Sequence, residues 1–255
     1  ISCGHADNLD IVGLAPERRP VFASGVAILT AIFESLNIEK LQLAGGALRE
    51  GVLYELLPNM RNVNIRQRTL QGLIQRFHID VEHARRVTEL AVAAFHQFDS
   101  YWQQQETTAL SLLKSACAIH EIGLLLEYKK NKQHAIYILE NADLPGFSLT
   151  ERQLLIALVG NYKDAVDTDL LHEQVLLNSD GAQLLLLVFR LAIILCKRRQ
   201  DDVLPSFELA FDGDEITLSL PQEWVGQHPL VAEELNLESQ HLAKVGIDLN
   251  VKFSG

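Results

Sequence analysis

Sulfur and positive charge are both scarce in this chain of 255 residues. Three cysteines, Cys3, Cys117 and Cys196, form an odd and widely scattered set, which excludes a disulfide framework. Cys117 and Cys196 fall within apolar helical patterns, the setting of buried thiols in a reducing compartment. Lysine and arginine number 22 against 33 aspartates and glutamates, a net charge of −11, which disfavours binding nucleic acid by bulk charge. No apolar run reads as a membrane span: Val26 to Phe33 stops at Glu34, and Leu184 to Leu195 is interrupted by Arg190. No secretory signal pattern, internal repeat or low-complexity stretch is visible. These absences lead to the expectation of a cytoplasmic protein with no membrane and no nucleic-acid partner.

What is present is apolar mass, with 48% hydrophobic residues, enough for a sizeable core and one to three domains. The charge is unevenly spread. Residues 1–58 carry 4 basic and 7 acidic side chains, residues 59–200 carry 16 and 15, and residues 201–255 carry 2 and 11. The acidity belongs mainly to the last segment, and the central one is balanced. There the clusters Arg61/Arg66/Arg68, Arg85/Arg86, Lys129/Lys130/Lys132 and Lys197/Arg198/Arg199 are either ordinary solvated helix faces or one wall of a channel for a long anion.

Periodicity divides the chain the same way. Val26, Ile28, Leu29, Ile32, Phe33 and Leu36 recur at helical spacing, and Leu41 and Leu43 then read as a short strand ending at Gly45-Gly46. A lone strand between helices cannot make a sheet, so this piece calls for further strands. Pro58 to Asn64 reads as a linker. Helices are expected over 65–77, from an N-cap at Asp80 with Val81, Ala84, Val87, Leu90, Ala91, Ala94, Phe95 and Phe98 facing inward, from Thr107 or Thr108 through Ile119 to Leu126, and over 131–141, 150–160 and 181–199. Ser148 or Thr150 is the expected cap of the 150–160 helix. From Ser206 the period changes to two: Phe207, Leu209 and Phe211, a turn at Asp212-Gly213-Asp214, then Ile216, Leu218 and Leu220. A helix starting at Pro229 and a last alternating run, Ile247 to Phe253, complete a three-stranded sheet with one helix on its face.

Several stretches carry a family likeness: Glu17-Arg18-Arg19-Pro20-Val21-Phe22-Ala23-Ser24-Gly25, Leu41 to Gly51 with its paired glycines, Val87-Thr88-Glu89-Leu90-Ala91, Ala118-Ile119-His120-Glu121-Ile122-Gly123, His134 to Leu139, and Asp143-Leu144-Pro145-Gly146-Phe147. With them the chain resembles, over nearly its whole length, the exopolyphosphatase/guanosine pentaphosphate phosphohydrolase family, and within it the guanosine pentaphosphate phosphohydrolase branch. The resemblance implies an α+β, mostly helical fold in three parts. Residues 1–58 would be the end of an actin-like (ribonuclease H-like) α/β domain, residues 59–200 an HD-like all-helical domain, and residues 201–255 a small α+β module.

Family members are about twice as long and open with a phosphate-binding loop that this sequence lacks, so the expectation is a C-terminal half, inactive by itself. The catalytic residues and the magnesium ions of the whole enzyme would lie in the other half. The implied substrates are guanosine pentaphosphate or inorganic polyphosphate, and the implied assembly is a homodimer. Arg18, Gly45 and Gly46 are the residues that the likeness assigns to substrate phosphate; an internal salt bridge for Arg18 and a plain tight turn for the glycines are the alternatives. His83, His120 and Glu121, with His134 nearby, match the metal site of HD-type phosphohydrolases, but in degenerate form. Glu121 stands where such enzymes carry aspartate, and Ile193 stands where the last aspartate belongs, so no metal is expected. The alternatives from other classes are a stand-alone HD-type metal phosphohydrolase and a dimerisation or regulatory helical module built on helices such as 181–199.

Overall fold

A computed structural model describes residues 11–41, 65–102, 105–201, 205–212 and 215–254, and every structural statement below concerns those residues. They fall into two compact units, residues 1–43 and residues 44–255. In the first, a 3₁₀ turn, Pro16–Arg18, leads into helix α1, Arg19–Leu36, which Pro20 helps to start and the left-handed Asn37 ends. The helix begins a full two turns before the expected Val26. Its 21-residue span from Pro16 to Leu36, with a mean hydropathy of 1.3, is long and apolar enough to cross a membrane by length and composition alone. This corrects the expectation of no such run, which had counted only the core of the stretch. None of its residues is buried, and Val26, Ile28, Leu29 and Ile32 stand exposed. Leu41 is exposed and not in a strand, while the rest of the expected strand to Leu43, the glycine pair and the 58–64 linker lie outside the described residues.

The second unit begins with eight helices: α2 (Ile65–Arg76), α3 (Val81–His96), α4 (Asp99–Trp102), α5 (Glu106–Ile119), α6 (Asn131–Asn141), α7 (Leu149–Gly160), α8 (Thr168–Glu173) and α9 (Ser179–Leu195). Polar caps start most of the long ones. Asp80 accepts from the His83 N–H, Asn178 from Gly181, and Ser148 forms a reciprocal capping box with Glu151. The apolar stripe of α3 packs on α5 and α9, and α7 packs on α5 and α6. The inward face of α3 is as expected except for Val81, which is exposed, while His83 takes a buried position instead. Helix α9 is buried without a break from Leu184 to Ala192. A helix covered all round is the centre of a core, so this part of the helix that the alternative reading gave to an interface serves packing.

Helix α5 ends at Ile119 rather than running on to Leu126, and tight turns carry the chain from His120 to Leu126. Gly123 permits this, because a Cβ there would lie 1.9 Å from the carbonyl oxygen of Asn131. The α6 backbone therefore comes close to the turn. Gly146, at φ +89°, makes a comparable approach to the backbone of Arg66. Arg66 in turn donates to the Gly146 carbonyl, to Ser111 and to Glu151, fastening α2 to the bundle.

The alternating runs form strands β1 (Glu208–Asp212), β2 (Glu215–Pro221) and β3 (Asp248–Ser254) in sheet order β1-β2-β3. β1 and β2 are an antiparallel pair with Leu209 opposite Leu218. β2 and β3 are parallel, with Ile216 opposite Leu249, so the chain must cross over between them. It does so through α10 (Gln222–Gln227) and α11 (Pro229–Ala243), one helix more than expected. Leu218, Leu220, Leu235 and Leu242 join the same apolar core as the helices. A buried ion pair ties the module on. Arg190 of α9 meets Glu238 of α11 through two bonds of 2.5 and 2.7 Å, and also donates to the carbonyls of Asn161 and Asp164.

Candidate functional site

Two chain segments, the start of α3 and the turn after α5, bring the expected His83, His120 and Glu121 together. The Asp80 cap holds the first turn of α3, where His83 sits, through a 3.0 Å bond from the His83 amide. His120 follows the last residue of α5, and its Nδ1 donates to the Cys117 carbonyl at 2.8 Å. That bond leaves Nε2 as the lone-pair nitrogen. The two rings lie 5.4 Å apart between centroids, and Tyr162 and Phe189 present their edges to His120. His83 and His120 are 3% and 1% exposed, and neither His83 Nδ1 nor His120 Nε2 has a hydrogen-bond partner among the described residues. Burial, followed by the charges of Arg199 and His120, pushes the His83 imidazole down to about 4, and burial lowers His120 as well. Both rings are therefore neutral at pH 7.

Glu121 is bound not to His120 but to Arg199, at 2.5 Å, and the same guanidinium reaches Asp80 at 2.8 Å. His120 and Glu121, adjacent in sequence, thus take separate partners. Arg199 lies just beyond α9 with φ +56°, a left-handed backbone conformation that turns the chain back over the cluster. The three expected residues offer ligand atoms all within 4.8 Å of one another. Two imidazoles and one carboxylate suit zinc-like ions, whereas magnesium prefers an all-oxygen shell, so this cluster does not fit the magnesium expected of the whole enzyme.

The cluster forms the floor of a cleft of about 430 Å³. Its far wall comes from the end of α9 and from α11: Ile193, Ile194 and Lys197, then Glu234, Leu237 and His241. Ile193 contributes hydrocarbon to the lining. Asn131 donates to the Tyr162 hydroxyl at 2.7 Å, and the Lys163 ammonium lies 5.0 Å from the Tyr128 ring centre. Most of the cleft's charges are paired, Lys197 with Glu234, Arg199 with Glu121, and Glu238 with the buried Arg190, and the remaining Lys163 and Asp164 are of opposite sign. Such a lining has no net pull on a polyanion.

The other expected residues lie elsewhere. Arg18 is exposed in the turn before α1, and Gly45 and Gly46 lie outside the described residues. His134 lies on α6 beside Glu127, 3.7 Å away. Most of the basic clusters serve structure: Arg66 binds Glu151, Arg85 and Arg86 share Asp201, and Lys132 caps the carbonyls of Lys163 and Ala165. His241, read as an ordinary surface or satisfied residue, has a buried and unpartnered Nδ1 in the cleft wall. No spacing in the sequence relates α11 to His83, so no local signal could have found it. Arg199 belonged to a flagged basic run, but its partners Asp80 and Glu121 are 119 and 78 residues away.

A helical domain with a His-His-carboxylate cluster closed by an arginine, and a small parallel-antiparallel sheet locked onto it, make this an α+β protein. The chain belongs to the Ppx/GppA phosphatase family: residues 65–239 match its domain III and residues 1–60 match the family's own description. It is similar to the guanosine-5'-triphosphate,3'-diphosphate pyrophosphatase of Aeromonas hydrophila, 45% identical over 246 residues, covering 96% of this chain and 50% of that one. A protein of the same name from Pseudoalteromonas translucida is 44% identical over 243 residues, covering 95% and 49%. The chain spans about half the length of the curated relatives it matches.

Proposed function

We propose that this chain is the C-terminal portion of a phosphohydrolase that removes the terminal phosphate of guanosine pentaphosphate, of inorganic polyphosphate or of both, and that it does not turn over either substrate alone. The observation that carries this is the 44–45% identity, along 95–96% of the chain, with proteins named guanosine-5'-triphosphate,3'-diphosphate pyrophosphatase. In the whole protein the reaction is attack of water on a terminal phosphoryl group, with magnesium supplying charge neutralisation from outside this chain. The part played by this chain is to wall and orient. Arg18, exposed ahead of α1, presents a guanidinium fork that matches two phosphate oxygens at once, and Gly45-Gly46 would let backbone approach the substrate.

The helical domain contributes shape rather than chemistry. Arg199 holds Glu121 as an ion pair, so that carboxylate serves neither as a metal ligand nor as a base, and Ile193 offers no oxygen. A stand-alone metal phosphohydrolase is disfavoured on that ground. Assembly as a homodimer belongs to the same proposal, and the burial of α9 moves any interface to other surfaces.

The test is phosphate release from guanosine pentaphosphate and from polyphosphate, with magnesium, by the purified chain and by the chain extended to the full length of its relatives. The extended protein is expected to release phosphate, and Arg18→Ala within it to weaken substrate binding. Release by the isolated chain at a comparable rate would refute the proposal.

A further inference from the structure

We infer that His83, His120 and Glu121 form a transition-metal site that Arg199 holds shut. Two observations point there independently. One is donor geometry: two ring nitrogens and a carboxylate oxygen within 4.8 Å of one another, on the floor of an open cleft. The other is that both imidazoles carry a buried nitrogen with no partner among the described residues, although the rings are more than nine-tenths buried and line that cleft. Buried polar atoms left unsatisfied are costly and uncommon, and two of them converging on a carboxylate mark a place prepared for a ligand that accepts lone pairs. The His120 tautomer agrees, since its Nδ1–H is spent on the Cys117 carbonyl and its buried Nε2 keeps the lone pair.

Ligands around a tetrahedral ion, with bonds of about 2.1 Å, stand roughly 3.4 Å apart. The cluster must therefore contract by up to about 1.4 Å, to which rotation of the Glu121 side chain contributes once it is released. What prevents this is Arg199. Its guanidinium occupies Glu121 at 2.5 Å and Asp80 at 2.8 Å, so one fixed positive charge already satisfies the acid that a metal would need. Arginine cannot be deprotonated to step aside. The class of ion that fits is the borderline divalent set, zinc, cobalt and nickel, and not magnesium or calcium. The site's resting state is metal-free, in keeping with the function proposed above, but the inference does not depend on that function.

The test exploits the backbone of Arg199. At φ +56° a glycine is at ease, so Arg199→Gly removes the guanidinium without adding strain. Tag-free wild type, R199G, R199M and the double variant H120A/R199G are titrated with cobalt(II), with binding read from visible d–d absorption and folding from circular dichroism. R199G and R199M are expected to bind cobalt at least ~100-fold more tightly than wild type, the order that follows from removing a unit charge a few ångströms from a dication in a half-buried site. H120A/R199G is expected to lose that gain. Wild type binding within about tenfold of R199G would overturn the gating role. Folded R199G and R199M that both fail to bind cobalt would overturn the site itself.

Discussion

Replacing Glu238 by alanine strands a guanidinium in the centre of the protein. Arg190 has no exposed surface and Glu238 only 4%, so water cannot take over the lost partner. Two of the four bonds that Arg190 donates, those to the Asn161 and Asp164 carbonyls, survive the change, but neither acceptor carries a full negative charge. Removing one member of a buried pair costs about 3–5 kcal/mol, chiefly the desolvation of the charge left behind. A large part of the stability of an ordinary domain would thus be lost at one position 48 residues from its partner. The same reasoning predicts that R190M/E238L, which removes both charges and restores hydrocarbon volume, lies within about 1–2 kcal/mol of wild type, apart from the two carbonyls it leaves bare. Urea unfolding followed by tryptophan fluorescence measures this, because Trp102 reports from the helical core and Trp224 from the C-terminal module. A single variant that loses less than about 1 kcal/mol would refute the desolvation argument. So would a double variant as unstable as the single one.

Acid should destabilise the helical unit through its buried imidazoles. His83 protonates near 4 when folded and near its ordinary 6.5 when unfolded, so stability is full above pH 6.5 and falls as pH drops towards 4, by about 3 kcal/mol from this group; His120, lowered by burial, acts in the same direction. A urea midpoint independent of pH between 4 and 6.5 would contradict this. Gly123→Ala is expected to cost more than ~3 kcal/mol in thermal or urea unfolding, because its Cβ would overlap the Asn131 carbonyl, a backbone atom that cannot move alone. The thiols of Cys117 and Cys196 are both raised by burial, Cys196 to about 12, and should react with an aromatic disulfide reagent only as the protein unfolds; fast labelling of either in native buffer would show that this part of the core is open.

Local chemistry explains which elements could be read in advance. Asp80 and Ser148 announce helix starts because a cap acts within three residues of itself, and both cap as expected. The 131–141 helix and the three alternating runs follow from period alone. The end of α5 was hidden, because what stops it at Ile119 is the later approach of Asn131 to Gly123. The second helix of the crossover was hidden as well. Only the parallel pairing of β2 with β3 obliges the chain to travel the length of the sheet.

His83, His120 and Glu121 came into view as candidates through the likeness to HD-type phosphohydrolases. Their chemical state did not. Whether an imidazole is neutral, which of its nitrogens is bare and which cation satisfies Glu121 depend on burial and on Arg199, brought in from the far end of α9 by a single left-handed residue. The sequence thus determined the periods, the caps and the ligand types, all properties of neighbours along the chain. Tertiary structure decided the electrostatics, because charge, solvent exclusion and hydrogen-bond geometry are set by atoms about 80 to 120 residues apart that meet only after the core has formed.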